Sequence, residues 1–252
     1  MTTEVGPAKP PKLLTGANWL AGLVIPLGIL AVCVAADLSA SERLTSDVGR
    51  TALLYVLAAL VELLVIISIV PWWSAGLVDR HSFGAVIAAF RVATMVLSTS
   101  LLLLVLGFLQ DSWGFASLVK VQTVVLCVGL LAAGLAAFLQ GLLRRVTGAA
   151  LVTMLLGFGL ISTPFWGNIL VQCAGDAWRS WAIGVVVKAT PISACSSAVG
   201  YDLFRGRVLY VLSAVSDYRY ALPEWWTYAT VTGTAAIVLI ELATLIRRQR
   251  SP

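Results

Sequence analysis

Charged residues are scarce in this chain. Asp, Glu, Lys and Arg make up 12% of its 252 residues, whereas a soluble domain carries roughly 25%. Hydrophobic residues make up 60%, and the mean hydropathy is +0.95. This imbalance excludes an ordinary cytosolic enzyme, a disordered chain and a nucleic-acid-binding domain, because a bilayer accommodates so many apolar side chains and a soluble core does not. We therefore predict an all-α, polytopic membrane protein that contacts lipid and no nucleic acid.

Histidine and cysteine are also rare. The single histidine, His81, excludes bis-histidine haem and the usual zinc and copper sites. The four cysteines form no CxxC pair and are too scattered for a disulfide scaffold. Cys33 and Cys127 lie inside apolar runs, where they serve as small packing residues. Cys173 and Cys195 share one polar-flanked region and could pair in an oxidising compartment. We expect no metal and no cofactor.

The chain lacks the residue combinations of an enzyme. Ser98, Ser100 and Ser162 lie in or near apolar runs, but no histidine accompanies them as a base. Paired acids at helical spacing are missing too, and no GxxxxGK[ST] sequence is present to cradle the phosphates of ATP. We therefore predict no catalytic residues.

Six long apolar runs are the main feature of the sequence. Each has 18 to 26 residues, the length that crosses about 30 Å of hydrocarbon as a helix. Residues 1–14 read as a flexible cytoplasmic arm, and residues 15–252 as one six-helix domain. The first run is also a signal-peptide candidate, because Val34-Ala35-Ala36 resembles a cleavage site. The runs are Asn18–Ala36, Ala52–Val70, Val92–Leu109, Val121–Leu143, Val146–Val171 and Trp226–Ile246.

The distribution of Lys and Arg predicts the orientation. With the N-terminus inside, the inner segments hold nine basic residues against Glu4 and Asp79, a net charge of +7, while the outer segments sum to zero. Basic residues near span ends favour the cytoplasmic side, so both termini are predicted to be cytoplasmic. The nine are Lys9, Lys12, Arg80, Arg91, Arg144, Arg145, Arg247, Arg248 and Arg250.

Two acids lie within the predicted spans. Glu62 is in the middle of the second span, where a carboxyl group is costly and often marks a functional site. It is either part of a transport path or subunit contact, or a neutral acid that is hydrogen-bonded to a neighbouring helix. Glu241 lies close to Arg247 and Arg248 in the sixth span and is expected to reach the interface or to pair with them. The fourth span has small residues at every fourth position, namely Gly129, Ala133, Ala137 and Gly141. This stripe predicts close contact with a neighbouring helix. The alternative is that it arises by chance in a span rich in Ala and Gly.

Residues 74–91 follow the second span and alternate apolar with charged residues. This pattern predicts a helix at the membrane surface, with or without a cytoplasmic partner. Residues 172–225 contain one apolar run, Trp181–Val187, which is too short to cross, and Pro191 then interrupts an ordinary helix. We predict short outer-side helices there rather than a seventh span over residues 181–200.

Three segments together resemble the permease subunits of type-two ABC exporters. One is the run from Ala75-Gly76 to Asp79-Arg80 and Gly84, which is similar to that family's coupling helix. Another is Leu139 to Ala150, which resembles its cytoplasmic turn between the fourth and fifth spans. The third is residues 172–225, where Thr190-Pro191 resembles an Asn-Pro turn. Asp79 stands in place of the family's usual Glu, and Gly84 is one residue further from the base than is usual.

The resemblance implies a permease-like subunit in a bacterial cytoplasmic (inner) membrane. Such a subunit works as a homo- or heterodimer with a second permease subunit and a separate ATP-binding subunit, which the coupling segment would contact. The alternative is a structural subunit that keeps the permease fold inside a larger membrane complex without transporting. The altered coupling segment motivates this alternative. The contact residues that the resemblance implies are Leu77, Asp79, Arg80, Phe83 and Gly84.

Overall fold

The computed structural model describes residues 47–80, 83–109, 114–202 and 220–249, and every regular element in these ranges is a helix. The expected arm, the first predicted span, His81 and residues 203–219 of the outer segment lie outside the described residues. The helices are α1 (Asp47–Arg80), α2 (Gly84–Leu109), α3 (Phe115–Leu143), α4 (Val146–Ile161), α5 (Thr163–Cys173), α6 (Asp176–Ala189), α7 (Pro191–Val199) and α8 (Trp225–Arg248).

Four of these helices are long and apolar enough to cross a membrane. They are the parts of α1, α2, α3 and α8 that cover Ala52–Asp79, Gly84–Leu106, Phe115–Leu143 and Trp225–Arg248. They correspond to the second, third, fourth and sixth predicted spans, so the all-helical class is confirmed. The six-span count is not reproduced in the described part of the chain.

The fifth predicted span is two helices rather than one. α4 ends at Ile161, and α5 begins at Thr163 with a proline in its first turn. The hydroxyl of Ser162 donates to the carbonyl of Phe158 at 2.7 Å, and that of Thr163 to Leu160 at 2.8 Å. These side chains satisfy carbonyls near the break. With 16 residues, α4 alone is about 24 Å long, shorter than the hydrocarbon thickness.

α1 is longer than the sequence indicates. It continues through Pro71 and the two tryptophans that follow, as far as Arg80. Pro71 removes one backbone hydrogen bond, but neighbouring helices hold this part of α1 by their own contacts. Ser74 donates to the carbonyl of Ala133 at 2.6 Å, and the indole nitrogen of Trp72 lies 3.1 Å from the sulfur of Met154.

The separate surface helix that we expected over residues 74–91 is therefore not formed. Its first part is the end of α1 and its second part is the beginning of α2. The sequence pattern is ambiguous here because the apolar residues of a helix end and of a surface helix recur at the same spacing.

α3 is the central helix of the bundle and packs against α1, α2, α4, α7 and α8. Its small residues allow these close contacts. A Cβ at Gly129 would stand 2.7 Å from Val92 on α2, and one at Gly134 would stand 2.9 Å from the carbonyl oxygen of Ala236 on α8. Ala133 and Ala137 are fully buried. The predicted stripe is a packing surface that faces α1 and α2 along one part of α3 and α8 along another.

Two short helices occupy the expected outer-side segment. α6 and α7 meet at Thr190 with a bend of 77°, so the pair is either a broken span or a re-entrant loop. α6 exposes Trp178 and Trp181, whose rings pack edge to face with centroids 6.2 Å apart, and it buries Ala182 and Val186. One apolar side with exposed tryptophans is typical of a helix at a membrane interface.

α7 enters the bundle instead of lying on it. It contacts α1, α3, α4 and α8, and seven of its nine residues are buried. Pro191 lies in its first turn, where a missing N–H is harmless. Gly200 ends it at φ +71°, a left-handed conformation that favours glycine.

The arginines of the helix ends collect at one end of the bundle. The Arg247 guanidinium donates to the backbone oxygen of Asp79 at 3.3 Å, and the Gln140 amide donates to the Asp79 carboxyl at 3.2 Å. The ends of α1, α3 and α8 therefore meet there. At the starts of α3 and α8, the Lys120 ammonium lies 5.9 Å from the ring centroid of Trp225, so these two helices run parallel.

Candidate functional site

The most unusual group of the bundle is the carboxyl of Glu62. This residue lies near the middle of α1 and has no exposed surface. Its chain neighbour Leu63 and the residues one turn further on, Ile66 and Ile67, are also buried, so α1 turns one side entirely into the core. A carboxyl group in such a place needs polar partners, because losing its hydration without replacement is costly.

Two neighbouring helices supply those partners. The side-chain amide of Gln122 on α3 donates to Oε2 of Glu62 at 3.0 Å. Thr99 on α2 also lies within hydrogen-bonding reach of the carboxyl, and its hydroxyl donates to the carbonyl of Met95 at 3.2 Å. All three side chains are nine-tenths buried or more. Glu62, Thr99 and Gln122 thus form one buried polar cluster that joins three helices, and we call it the Glu62 cluster.

The hydrogen bonding of the Glu62 cluster is incomplete. Oε1 of Glu62 and Oε1 of Gln122 have no hydrogen-bond partner in the described structure, although both are buried. Buried polar atoms are usually paired, so each exception requires an explanation.

α7 packs beside this cluster. Its Cys195 lies close enough to Glu62 to interact with it electrostatically, and Cys195 and Ser196 are both buried. The bend before α7 is fixed by Ser193, whose hydroxyl contacts the carbonyls of Val187 and Thr190. The cluster is therefore enclosed by α1, α2, α3 and the helix that enters the bundle.

Glu241, the second acid predicted inside a span, is not part of this cluster. It lies on the exposed side of α8. The sequence predicted that Glu241 reaches the interface or pairs with Arg247 and Arg248, and of the two acids only Glu62 is buried against other helices. Gln122 was not predicted as a site residue. Its signal is a polar side chain inside the apolar run that begins at Val121.

The predicted contact segment is divided between interior and surface. Phe83 is 62% exposed, whereas Leu77 is half-buried against the core. Asp79 is held by Gln140 and Arg247, as described above. The side chain of Arg80 lies outside the described residues. Only part of the segment is therefore free to contact a partner.

Gly84 has a clear role within the bundle. A Cβ at this position would stand 2.2 Å from the carbonyl oxygen of Leu77 and 2.5 Å from the backbone nitrogen of Val78. The chain returns so closely on itself between α1 and α2 that no side chain fits there.

The cysteines that could have formed a bridge do not pair. Cys173 is exposed at the end of α5, and Cys195 is buried in α7. Both are free thiols, so the possible disulfide is not formed. Among the described residues, no group of three His, Cys, Asp or Glu side chains could hold a metal ion.

A cavity of about 590 Å³ opens beside the start of α8. Leu131, Leu160 and Val231 give it mainly apolar walls, and Lys188 and Glu224 also line it. Tyr228, which lines it too, donates its hydroxyl to the carbonyl of Ala189 at 3.1 Å and so ties α8 to the end of α6.

The fold and the buried cluster define an all-helical protein whose long apolar helices suit a membrane. No protein-family model, curated protein or solved structure matches the chain.

Proposed function

We propose that the chain is the permease-like membrane subunit of an ABC-type export complex and works with a separate ATP-binding subunit and a second permease subunit. The observation that carries the proposal is the turn between α1 and α2. Phe83, Val86 and Phe90 are exposed around it, at the end of the bundle that also holds Arg144 and Arg145. An exposed apolar surface beside basic residues is suited to docking a cytoplasmic partner.

The fold supports this proposal in a second way. In the proposed complex, a movement of the partner at the α1–α2 turn would have to reach the interior of the bundle. α1 is one helix from this turn to Glu62, and Ser74 links it to α3 on the way. α1 passes through Pro71 on this path, where one backbone hydrogen bond is missing, so the proposal requires that a displacement at Asp79 be carried past this point of the helix.

The alternative is a structural subunit of a larger membrane complex, and a specific observation favours it. Asp79 and Gly84, which carry much of the resemblance to the exporter family, both serve contacts within this chain. These residues need no ATPase to account for them. The exposed Phe83 therefore discriminates between the two functions better than either of them.

The experiment is site-specific photo-crosslinking from position 83 in native membranes. The proposal expects a crosslink to a polypeptide with a Walker-type ATP site, and none from position 155, where Leu155 is 72% exposed on α4. Wild-type protein extracted in mild detergent should also retain that ATPase. If it retains none, the structural role replaces transport.

A double substitution tests the charged residues of the same turn. Replacing Asp79 and Arg80 with Ala should weaken co-purification of the ATPase. Gln140→Leu is the matched control, because it removes the internal partner of Asp79 and leaves the surface of the turn unchanged. If both variants weaken co-purification equally, Asp79 acts through the bundle rather than through direct contact.

A further inference from the structure

The incomplete hydrogen bonding of the Glu62 cluster has one simple chemical solution. The two atoms without a partner are both oxygens, and they belong to the two side chains that already touch. An ionised carboxylate has no donor to offer, and the amide oxygen of Gln122 only accepts. Turning the amide around does not help, because the 3.0 Å contact would then join two acceptor oxygens. The pair lacks one hydrogen atom.

In the described structure, neither oxygen receives a hydrogen bond from a neighbouring hydroxyl group. Thr99, although within reach of the carboxyl, gives its hydroxyl proton to the carbonyl of Met95 at 3.2 Å. Ser196 on α7 is buried, and its hydroxyl has no hydrogen-bond partner. The titratable groups that face the cluster from the other packed helices are the thiol of Cys195 on α7 and, beyond it, the hydroxyl of Tyr228 on α8, which donates to Ala189.

A counter-charge is missing as well. No basic side chain of the described residues acts on the Glu62 carboxyl group. Lys120, two residues before Gln122 in α3, lies over the ring of Trp225. An ionised Glu62 would thus be a buried charge without an opposite charge, which is a strongly unfavourable arrangement.

We propose that the Glu62 cluster is a proton-binding site. One proton bound at Oε1 of Glu62 turns the carboxylate into a carboxylic acid, which donates to Oε1 of Gln122 while Oε2 continues to accept from the Gln122 amide. Acid and amide then form a pair with two hydrogen bonds, and both oxygens are satisfied. A metal cation fits less well, because hard divalent cations take about six oxygen ligands or more and this cluster offers three oxygen-bearing side chains.

The inference is independent of the proposed function, since it concerns only groups inside this chain. The test is infrared spectroscopy of the protein in phosphatidylcholine vesicles at neutral pH. The chain has five glutamates, so a variant with Gln at positions 4, 42, 224 and 241 retains Glu62 alone. With ¹³C-labelled glutamate, this variant should show the carbonyl band of a protonated acid, shifted by the label.

Three further spectra decide the assignment. Glu62→Gln in the otherwise native chain should remove the band, and Glu241→Gln, an exposed acid on α8, should leave it. Gln122→Leu should move the band to higher frequency, because the acid loses its hydrogen-bond partner. A spectrum of the single-glutamate variant with only an ionised carboxylate overturns the proposal, and this result is decisive even if Glu62→Gln does not fold. Loss of the band when NaCl replaces choline chloride would also overturn it, in favour of a sodium site.

Discussion

The same substitution, glycine to alanine, is expected to change the stability of the protein in opposite directions at Gly84 and at Gly76. Both are glycines near the end of the α1–α2 hairpin, eight residues apart. At Gly84 an added methyl group would stand 2.2, 2.3 and 2.5 Å from three backbone atoms of Leu77 and Val78. At Gly76 nothing lies within 4 Å of it. We expect Gly84→Ala to destabilise the protein and Gly76→Ala to stabilise it.

The magnitudes follow from the contacts. Comfortable contact between heavy atoms needs about 3.5 Å, so the start of α2 must move by about 1 Å. The atoms are backbone, and no side chain can rotate away. Overpacking of this kind costs about 1–3 kcal/mol, and we expect the upper part of that range. Alanine in place of a helical glycine gains about 0.5–1 kcal/mol, so the two variants should differ by about 2.5–4 kcal/mol.

The assay is reversible unfolding in mixed detergent micelles with increasing SDS, followed by circular dichroism. Each variant is compared with the wild-type chain at equal protein and lipid concentration. If Gly84→Ala is as stable as the wild type, the backbone of Leu77 does not lie as close to Gly84 as the structure places it. If both variants are destabilised alike, the effect reports general intolerance of this segment rather than the contact.

Three further changes test other parts of the structure. Ser74→Ala removes a buried hydrogen bond between α1 and α3 and should cost about 1 kcal/mol of unfolding free energy, whereas Ser68→Ala, whose hydroxyl bonds within its own helix, should cost close to nothing in the same assay. Gln122→Leu leaves Glu62 without its amide partner and should cost about 1–3 kcal/mol, again measured by SDS unfolding. For orientation, single cysteines in a chain whose Cys33, Cys127, Cys173 and Cys195 are replaced by Ser should react with an impermeant maleimide on intact cells at the outer positions and not at the inner ones. Labelling at Val146 would contradict the predicted topology. The positions are Val5 and Val146 inside, and Trp113 and Val215 outside.

The four long helices could be predicted because the bilayer sets their length. Any helix that crosses needs about 20 apolar residues, and such runs are visible in one sequence. The end of α3 was predicted to the residue. Leu143 is its last residue, and Arg144 follows at φ 54°, a left-handed conformation that stops the helix. The start was predicted six residues too late, because the first turns at Phe115 carry a polar side chain and a lysine.

Hydropathy could not show where helices bend or continue. Residues 146–171 are mostly apolar, so hydropathy indicates one run, although Ser162, Thr163 and Pro164 lie at the break. At Pro71 the opposite error occurs. A proline normally ends a helix, so the sequence predicts an end there, but Pro71 lies inside α1. Contacts with other helices decide both cases. Such contacts depend on which face each helix turns to its neighbours, and one sequence does not determine this.

The Glu62 cluster shows the same limit at the level of single side chains. A lone acid in an apolar run predicts an interior position, and Glu62 is buried as expected, whereas Glu241, which was expected to reach the interface or to pair with Arg247 and Arg248, is exposed. The difference lies in the partner: Gln122, 60 positions away in the chain, reaches Glu62, whereas Glu241 lies on the outer side of α8. An acid is buried in such a bundle when a second helix brings a donor to it, because only then is the lost hydration replaced. The useful sequence signal is therefore an acid together with an amide in another span, and Gln122 is the residue that completes it.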